Sequence, residues 1–519
     1  MGLIGKFASV GSATSASRVL GFVREAMIAA TLGAGPVTDA FYAAFRFPNL
    51  FRRLFAEGAF NSAFVPLFAK EVEDGEENAA AFAGEVFASL CVILLVLTLI
   101  AVLFMPFLVG TVIAPGFADT PGKFELTTHM ARIMFPYLAF MSLVAMISGM
   151  LNAYRRYFLA AFAPVLLNVV LIAVLSFVGW RGVEGATAGL FLAWGVVAAG
   201  LLQLGTLIYG LARSGFSFRL RRPGLSSKVR RLLALAAPAA LTGGIVQINI
   251  VVGQIIASQQ DKAISWLSWA DRVYQLPLGV IGIAIGVVLL PELARALRAG
   301  DHEEALSLQN KSLEFGLALT IPAAVALAII PAPIVAVLYE RGAFDAASTA
   351  ATAAALGGFA LGLPAFVLIK ILQPAFFARE DMRTPMWAAL VSLVANAVGS
   401  LAMFPYLGHV GIALATSIAG WVNAVVLGVI LWRSGDFRPA ARSLSRIMRS
   451  AGAAAVMGLA LWGWTTFVGD LFDGGNIVVR GALLGFAVIG AMIIYFALAL
   501  ATGGMDRSAL MRTLRRRRA

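Results

Sequence analysis

Cysteine occurs once in 519 residues, at Cys91, and histidine three times, at His129, His302 and His409. One thiol excludes a disulfide framework, a thiol redox pair and a cysteine zinc cluster. Three scattered histidines argue against a histidine metal site. Charge is scarce as well: Asp, Glu, Lys and Arg form 13% of the chain, against about 25% in soluble domains. No Walker loop, HExxH or GxSxG occurs, and the acidic run Glu73, Asp74, Glu76 and Glu77 has no general acid/base spacing. ATP-driven transport within the chain is unsupported, no enzyme activity and no cofactor are expected, and any coupling monovalent cation stays unknown. An uncharged leader is missing too, because Arg18, Arg24 and Glu25 interrupt the first thirty residues. The N-terminus is therefore expected to be retained.

Apolar sequence is abundant. Hydrophobic residues make up 60% of the chain and mean hydropathy is +0.88. They fall into blocks of about 20 residues, enough to cross a bilayer as a helix. Fourteen blocks are read: near 10–33, 38–63, 86–112, 130–151, 158–179, 186–211, 232–258, 264–294, 313–338, 346–371, 386–404, 410–432, 451–468 and 480–501. The expected fold is an all-α polytopic membrane protein with fourteen transmembrane helices. Alternate loops separate by charge. One set collects most of the Lys and Arg, including the tail run Arg515 to Arg518, while the other holds only Lys123, Arg181, Lys262 and Arg341. Basic loops stay cytoplasmic, which places both termini inside and makes the span count even. The net charge of +13 is then a matter of topology and membrane phospholipids, and nucleic acid is not an expected partner.

An internal repeat organises the spans. "AFRFPNLFRRLFAEGAFNSAFVPLFAK" (44–70) is echoed loosely by "ADRVYQLPLGVIGIAIGVVLLPELARA" (270–296), with Arg46 against Arg272 and Pro66 against Pro291. Six spans per repeat give two halves of one orientation, an arrangement that places substrate near mid-membrane at the repeat interface. The expected organisation is an N-lobe over 1–212, a basic, amphipathic cytoplasmic linker over 213–231, a C-lobe over 232–440, and a final helix pair with a basic tail over 441–519. The two lobes are expected to be pseudo-symmetric, with six helices each, around a central cationic cavity.

Ionisable residues inside spans are costly, roughly 2.5–3.5 kcal/mol each at mid-membrane on insertion scales, and mark function by default. The first two spans carry Arg18, Arg24, Glu25, Asp39, Arg46, Arg52, Arg53 and Glu57. At about 100° per residue, Asp39, Arg46 and Arg53 share a stripe with Glu57 close by. Some of these charges can pair among themselves, Arg53 with Glu57 and Arg24 with Asp39. Five arginines against three acids leave a positive surplus, which suits phosphate or pyrophosphate. The second half contributes Asp271, Arg272 and Lys370, with Lys370 open to the alternative of snorkelling. Pro48 and Gly58 in span two, and Pro277, Gly279, Gly282 and Gly286 in span eight, fit either moving helices or close helix packing.

The stretch "SRVLGFVREAMIAATLGAGPVTDAFYAAFRFPNLFRRLFAEGAFNSAFVPLFAKE" (17–71) resembles the opening of the MurJ (MviN) lipid II flippases. "APGFADT" (114–120), "NAYRRYFLAAFAPVLLN" (152–168) and "WADRVYQLPLGVIGIAIGVVLLPELAR" (269–295) fit the same family. The resemblance implies the multidrug/oligosaccharidyl-lipid/polysaccharide exporter fold, two six-helix lobes plus two helices. It also implies lipid II, an undecaprenyl-pyrophosphate-linked disaccharide-pentapeptide, as the substrate, flipped to the outer leaflet by alternating access in a bacterial cytoplasmic membrane. By the same resemblance the essential cavity arginines match Arg18, Arg24, Arg52 and Arg272, and the sensitive acid matches Asp39. Glu57 also sits in the family pattern, and Arg46 stands where a lysine is also found. The helix pair 451–468 and 480–501 matches a groove proposed for the lipid tail. Gln275 stands where a glutamate can occur, and 232–258 holds no acid for a sodium site of the kind some relatives have. A monomer is expected, with the cell-wall synthesis machinery as a further partner. A flippase for another polyprenyl-pyrophosphate glycan and a cation-coupled drug exporter of the same fold are the alternatives.

Overall fold

The computed structural model describes residues 3–51, 60–216, 222–224 and 226–505, and among these there is no strand. In chain order the helices are α1 (Leu3–Leu32), α2 (Pro36–Phe51), α3 (Phe60–Glu73), α4 (Glu76–Leu103), α5 (Met105–Leu108), α6 (Lys123–Met134), α7 (Tyr137–Ala153), α8 (Tyr157–Arg181) and α9 (Gly185–Ala212). They continue with α10 (Ser227–Ala257), α11 (Ala263–Arg298), α12 (His302–Ile329), α13 (Pro331–Tyr339), α14 (Ala346–Ala360), α15 (Leu363–Phe377), α16 (Arg383–Leu407), α17 (His409–Ser434), α18 (Ala441–Asp473) and α19 (Ile477–Ala501). In its described residues each apolar block of the sequence is built of helix. Among the described residues, ten helical stretches are long and apolar enough to cross a membrane; α1, α2, α10 and α11 fall below that threshold in their described parts.

Local chemistry explains where the helices begin and end. The side chains of Ser226, Asp301, Asp345 and Asn476 accept from backbone N–H groups in the first turns of α10, α12, α14 and α19, which satisfies donors that have no intrahelical partner. Proline opens α13 and stands early in α15, where its missing N–H costs nothing.

Packing divides the chain into two units, Met1–Ser265 with Arg341–Phe344, and Trp266–Glu340 with Asp345–Ala519. The sequence repeat assigns α10 to the second half, but its side chains bond within the first unit. Gln254 donates to the Ile113 carbonyl at 2.7 Å, and Lys228 pairs with Glu71 at 2.6 Å. Just before α10, Ser89 and Gly224 exchange hydrogen bonds, and the Ser226 N–H donates to Glu85 at 3.1 Å. The end of the expected linker is thereby strapped to α4.

Within the first unit, α6 and α7 run through the interior: 72% of their apolar window is buried, against 17% for α4. Val92, Leu95, Leu99 and Leu103 of α4 are exposed, as a helix facing lipid requires. The tetrapeptide Arg341–Phe344 joins this unit by a close backbone approach. Ala343 N–H donates to the Ala30 carbonyl at 2.8 Å. Gly33 and Gly342 both have positive φ, 63° and 58°. A Cβ at either would lie 2.2 or 2.3 Å from a carbonyl oxygen, of Ala343 or Ala30 respectively, so only glycine fits.

In the second unit, α18 and α19 pack on α12 through small residues, among them Ala453, Ala454, Ala487 and Ala491. Small side chains let helices approach closely where lipid supplies no hydrophobic drive. Polar ties add to both ends. Near the start of α18, Glu314 accepts from Ser443 at 2.6 Å and Arg446 at 2.8 Å. Beyond its far end, Arg480 bridges Glu340 at 2.8 Å and the Phe472 carbonyl at 3.0 Å, while Thr349 donates to the same Glu340 at 2.7 Å.

Candidate functional site

Asp39 stands in the first turn of α2 and is fully buried. Four donors saturate it. Its Oδ2 accepts from Lys123 Nζ at 2.9 Å and from the Lys262 N–H at 2.8 Å. Its Oδ1 accepts from the Ser265 N–H at 3.0 Å and the Ser265 hydroxyl at 2.5 Å. Lys262 adopts a left-handed backbone with φ 66°, uncommon for a residue with a side chain. The turn between α10 and α11, with the start of α11, thus presents its amides to α2. The same turn is held elsewhere: Ser258 accepts from the Gly116 N–H at 3.0 Å, and Lys123 also pairs with Asp261 at 2.9 Å.

Arg24 and Glu25 form a second buried cluster. The guanidinium donates to the neighbouring Glu25 carboxylate and to Asn168 of α8 at 2.9 Å. Tyr42 of α2 donates to the other Glu25 oxygen at 2.5 Å, and Asn168 donates back to the Ser17 carbonyl at 2.9 Å. Three helices are joined through one ion pair. The pairing of Arg24 with Asp39 suggested by the sequence is thereby corrected: Arg24 takes Glu25 and Asp39 takes Lys123. A buried carboxylate needs its partner within hydrogen-bond reach, and each acid finds a nearer cation.

The remaining expected residues are less enclosed. Arg18 is exposed on α1 and Arg46 is half-buried on α2. In the second unit Asp271 is half-buried and accepts from the Gln275 side chain one turn on. Arg272 and Lys370 are exposed, the Lys370 stem passing Gly282, whose Cβ would meet Lys370 Cγ at 3.5 Å. Arg52, Arg53 and Glu57 lie outside the described residues. Among the described residues, no three His, Cys, Asp or Glu side chains gather as a metal-holding group. The sequence reading counted Glu25 among the in-span charges without giving it a partner, and named none of Tyr42 and Asn168 beside Arg24, or Lys123, Asp261 and Ser265 beside Asp39, as site residues. Two of these carried a mark: Glu25 is an acid inside a span, and Lys123 is one of four basic residues in the charge-poor loops.

Ten helical stretches long and apolar enough to cross a membrane, among the described residues, define a polytopic helical membrane protein, and two buried ion pairs lie within its first unit. The fold is similar to a lipid II flippase MurJ solved in an inward closed conformation, with TM-score 0.77 and 24% identity over 97% of this chain and 99% of that one. It is also similar to an inward-facing multidrug resistance MATE family transporter of the MOP superfamily, with TM-score 0.65 and 15% identity over 81% and 94%. The family model described as Lipid II flippase MurJ matches residues 28–482. Proteins named probable lipid II flippase MurJ from Rhizobium tropici and Rhizobium meliloti (strain 1021) are 50% and 52% identical, covering 100% and 99% of this chain and 98% and 97% of theirs. The chain belongs to the MurJ family of lipid II flippases.

Proposed function

We propose that this chain carries lipid II from the cytoplasmic to the outer leaflet, as a monomer in the bacterial cytoplasmic membrane with both termini inside. The observation that carries this reading is the end-to-end match, at 50–52% identity, to relatives bearing that name. It acts as a carrier and makes or breaks no covalent bond. Arg18 in the first unit and Arg272 in the second each present an exposed guanidinium, the group best shaped for phosphate oxygens, and each contributes to handling the pyrophosphate headgroup. The outward step moves about two negative charges out of a negative interior, a gain of roughly 2.3 kcal/mol per charge per 100 mV, so membrane potential biases export without a cofactor. The cell-wall synthesis machinery takes up the product.

The test is to deplete the protein and measure the fraction of lipid II open to an impermeant reagent at the outer leaflet. A fall, with total lipid II maintained, supports the reading. An unchanged fraction, in cells without a second flippase, moves the assignment to another polyprenyl-pyrophosphate glycan.

A further inference from the structure

We propose that Lys123 is a positioning residue, which fixes the Asp39 carboxylate against the α10–α11 turn; its importance for transport rests on the function proposed above. Lys123 opens α6, is 2% exposed, and lies 2.9 Å from both Asp39 and Asp261. Of the other three donors on Asp39, the Lys262 amide lies in the turn and the Ser265 amide and hydroxyl lie at the start of α11, and all three are neutral. Lys123 alone brings a full positive charge to Asp39 among the described residues, and a charged donor binds a carboxylate about twice as strongly as a neutral one. Its second bond reaches Asp261 on the turn itself, so a single ammonium on α6 holds α2 on one side and the turn on the other. The Phe117 ring, 4.2 Å from the ammonium, completes its surroundings.

Removing the ammonium leaves a buried carboxylate without counter-charge, which is the costly way to break such a pair. The turn then rests on the dipoles of Lys262 and Ser265 together with the Gly116–Ser258 and Gln254–Ile113 bonds. Lys123 therefore governs how firmly residues 258–265 stay on α2 and α6.

The experiment uses the full chain in proteoliposomes, with Cys91→Ser and Ala263→Cys, and times labelling of the introduced thiol by a water-soluble maleimide. Ala263 is buried and its side chain makes no bond to the turn's partners, so labelling reports release of the turn. Lys123→Met is expected to speed labelling by at least about tenfold and to lower lipid II export. Lys123→Arg is expected to stay near the parent in both. Combining Lys123→Met with Asp39→Asn removes both charges, and its labelling rate should fall well short of the product of the two single effects. Parental labelling and export in Lys123→Met, or effects that simply multiply, overturn the proposal. Should Lys123→Met fail to accumulate, recovery of folded protein on adding Asp39→Asn supports the pairing and continued failure overturns it. If the parent exports no lipid II, the transport reading falls, while the labelling comparison still decides whether Lys123 positions Asp39.

Discussion

The charge clusters at Arg24 and Asp39 in the first unit contrast with the in-span charges Asp271, Arg272 and Lys370 of the second. In the first, Arg24, Glu25, Asp39 and Lys123 are all buried and bonded to one another or to nearby polar groups. In the second, Arg272 and Lys370 are exposed and Asp271 is half-buried. The difference teaches that a charge inside a membrane span is not by itself a ligand site. Asp39 is saturated by four donors, and Arg24 gives its two Nη groups to Asn168 and Glu25, keeping only a buried Nε without a partner. Arg18, exposed on α1, can turn its guanidinium to a phosphate without breaking up a buried pair. Arg24 and Arg18, six residues apart on one helix, fall on opposite sides of this line.

The sharpest way to break the comparison is to substitute both. Arg24→Ala strands the buried Glu25 carboxylate, and losing one partner of such a pair costs about 3–5 kcal/mol. Its thermal midpoint in detergent and its folded yield should drop markedly, whereas Arg18→Ala and Arg272→Ala should melt like the parent and lose export. Equal melting of Arg24→Ala and the parent would remove the distinction between the clusters. Next in size is Gly342→Ala, which drives a Cβ into the Ala30 carbonyl and strains a left-handed backbone, at about 1–3 kcal/mol; wild-type melting would show that the close approach can relax.

Arg480→Ala and Arg446→Ala probe the second unit where its own charges are half-buried. Each cuts one polar tie of the last helix pair, worth about 1–3 kcal/mol, and limited proteolysis at the 474–476 turn should quicken in Arg480→Ala more than in Arg446→Ala. The smallest effect concerns Asp381. Hydrogen bonds from Thr384 and the Arg383 N–H, with the charge of Arg383, hold its carboxyl below the usual carboxylate range. A depressed carboxyl stabilises the folded state above its unfolded value and loses that contribution as pH falls through its folded value. Asp381→Ala should thus lower the melting temperature slightly near neutral pH, through the lost bonds to the Arg383 and Thr384 N–H groups, and less at pH values below its folded value. A pH-independent difference in melting between parent and variant would assign the effect to packing.

The helices were legible because lipid imposes a length and a composition on any segment that crosses it. Loop charge also set Lys123 apart as an oddity. Its partners were not legible: Lys123 and Asp39 are 84 residues apart, and Arg24 and Asn168 are 144 apart. Helical periodicity reports which residues share a face, not what a neighbouring helix brings to it, so Asp39 reads as one member of a charged stripe until Lys123 and the amides opposite are seen. The placement of α10 was hidden for a related reason. A repeat records likeness between segments, whereas packing follows individual bonds such as Gln254 to Ile113.

Arg341–Phe344 belongs to the first unit although the whole of Trp266–Glu340 precedes it in the second. Domains usually complete themselves in the order in which the ribosome delivers them. Here the first unit must wait: its Ala30 carbonyl acquires the Ala343 amide only after a long stretch of the second unit has been synthesised. Early in biogenesis α1 therefore sits with an unmet acceptor, and a chain truncated before Arg341 would leave the earlier unit, not just the later one, unfinished.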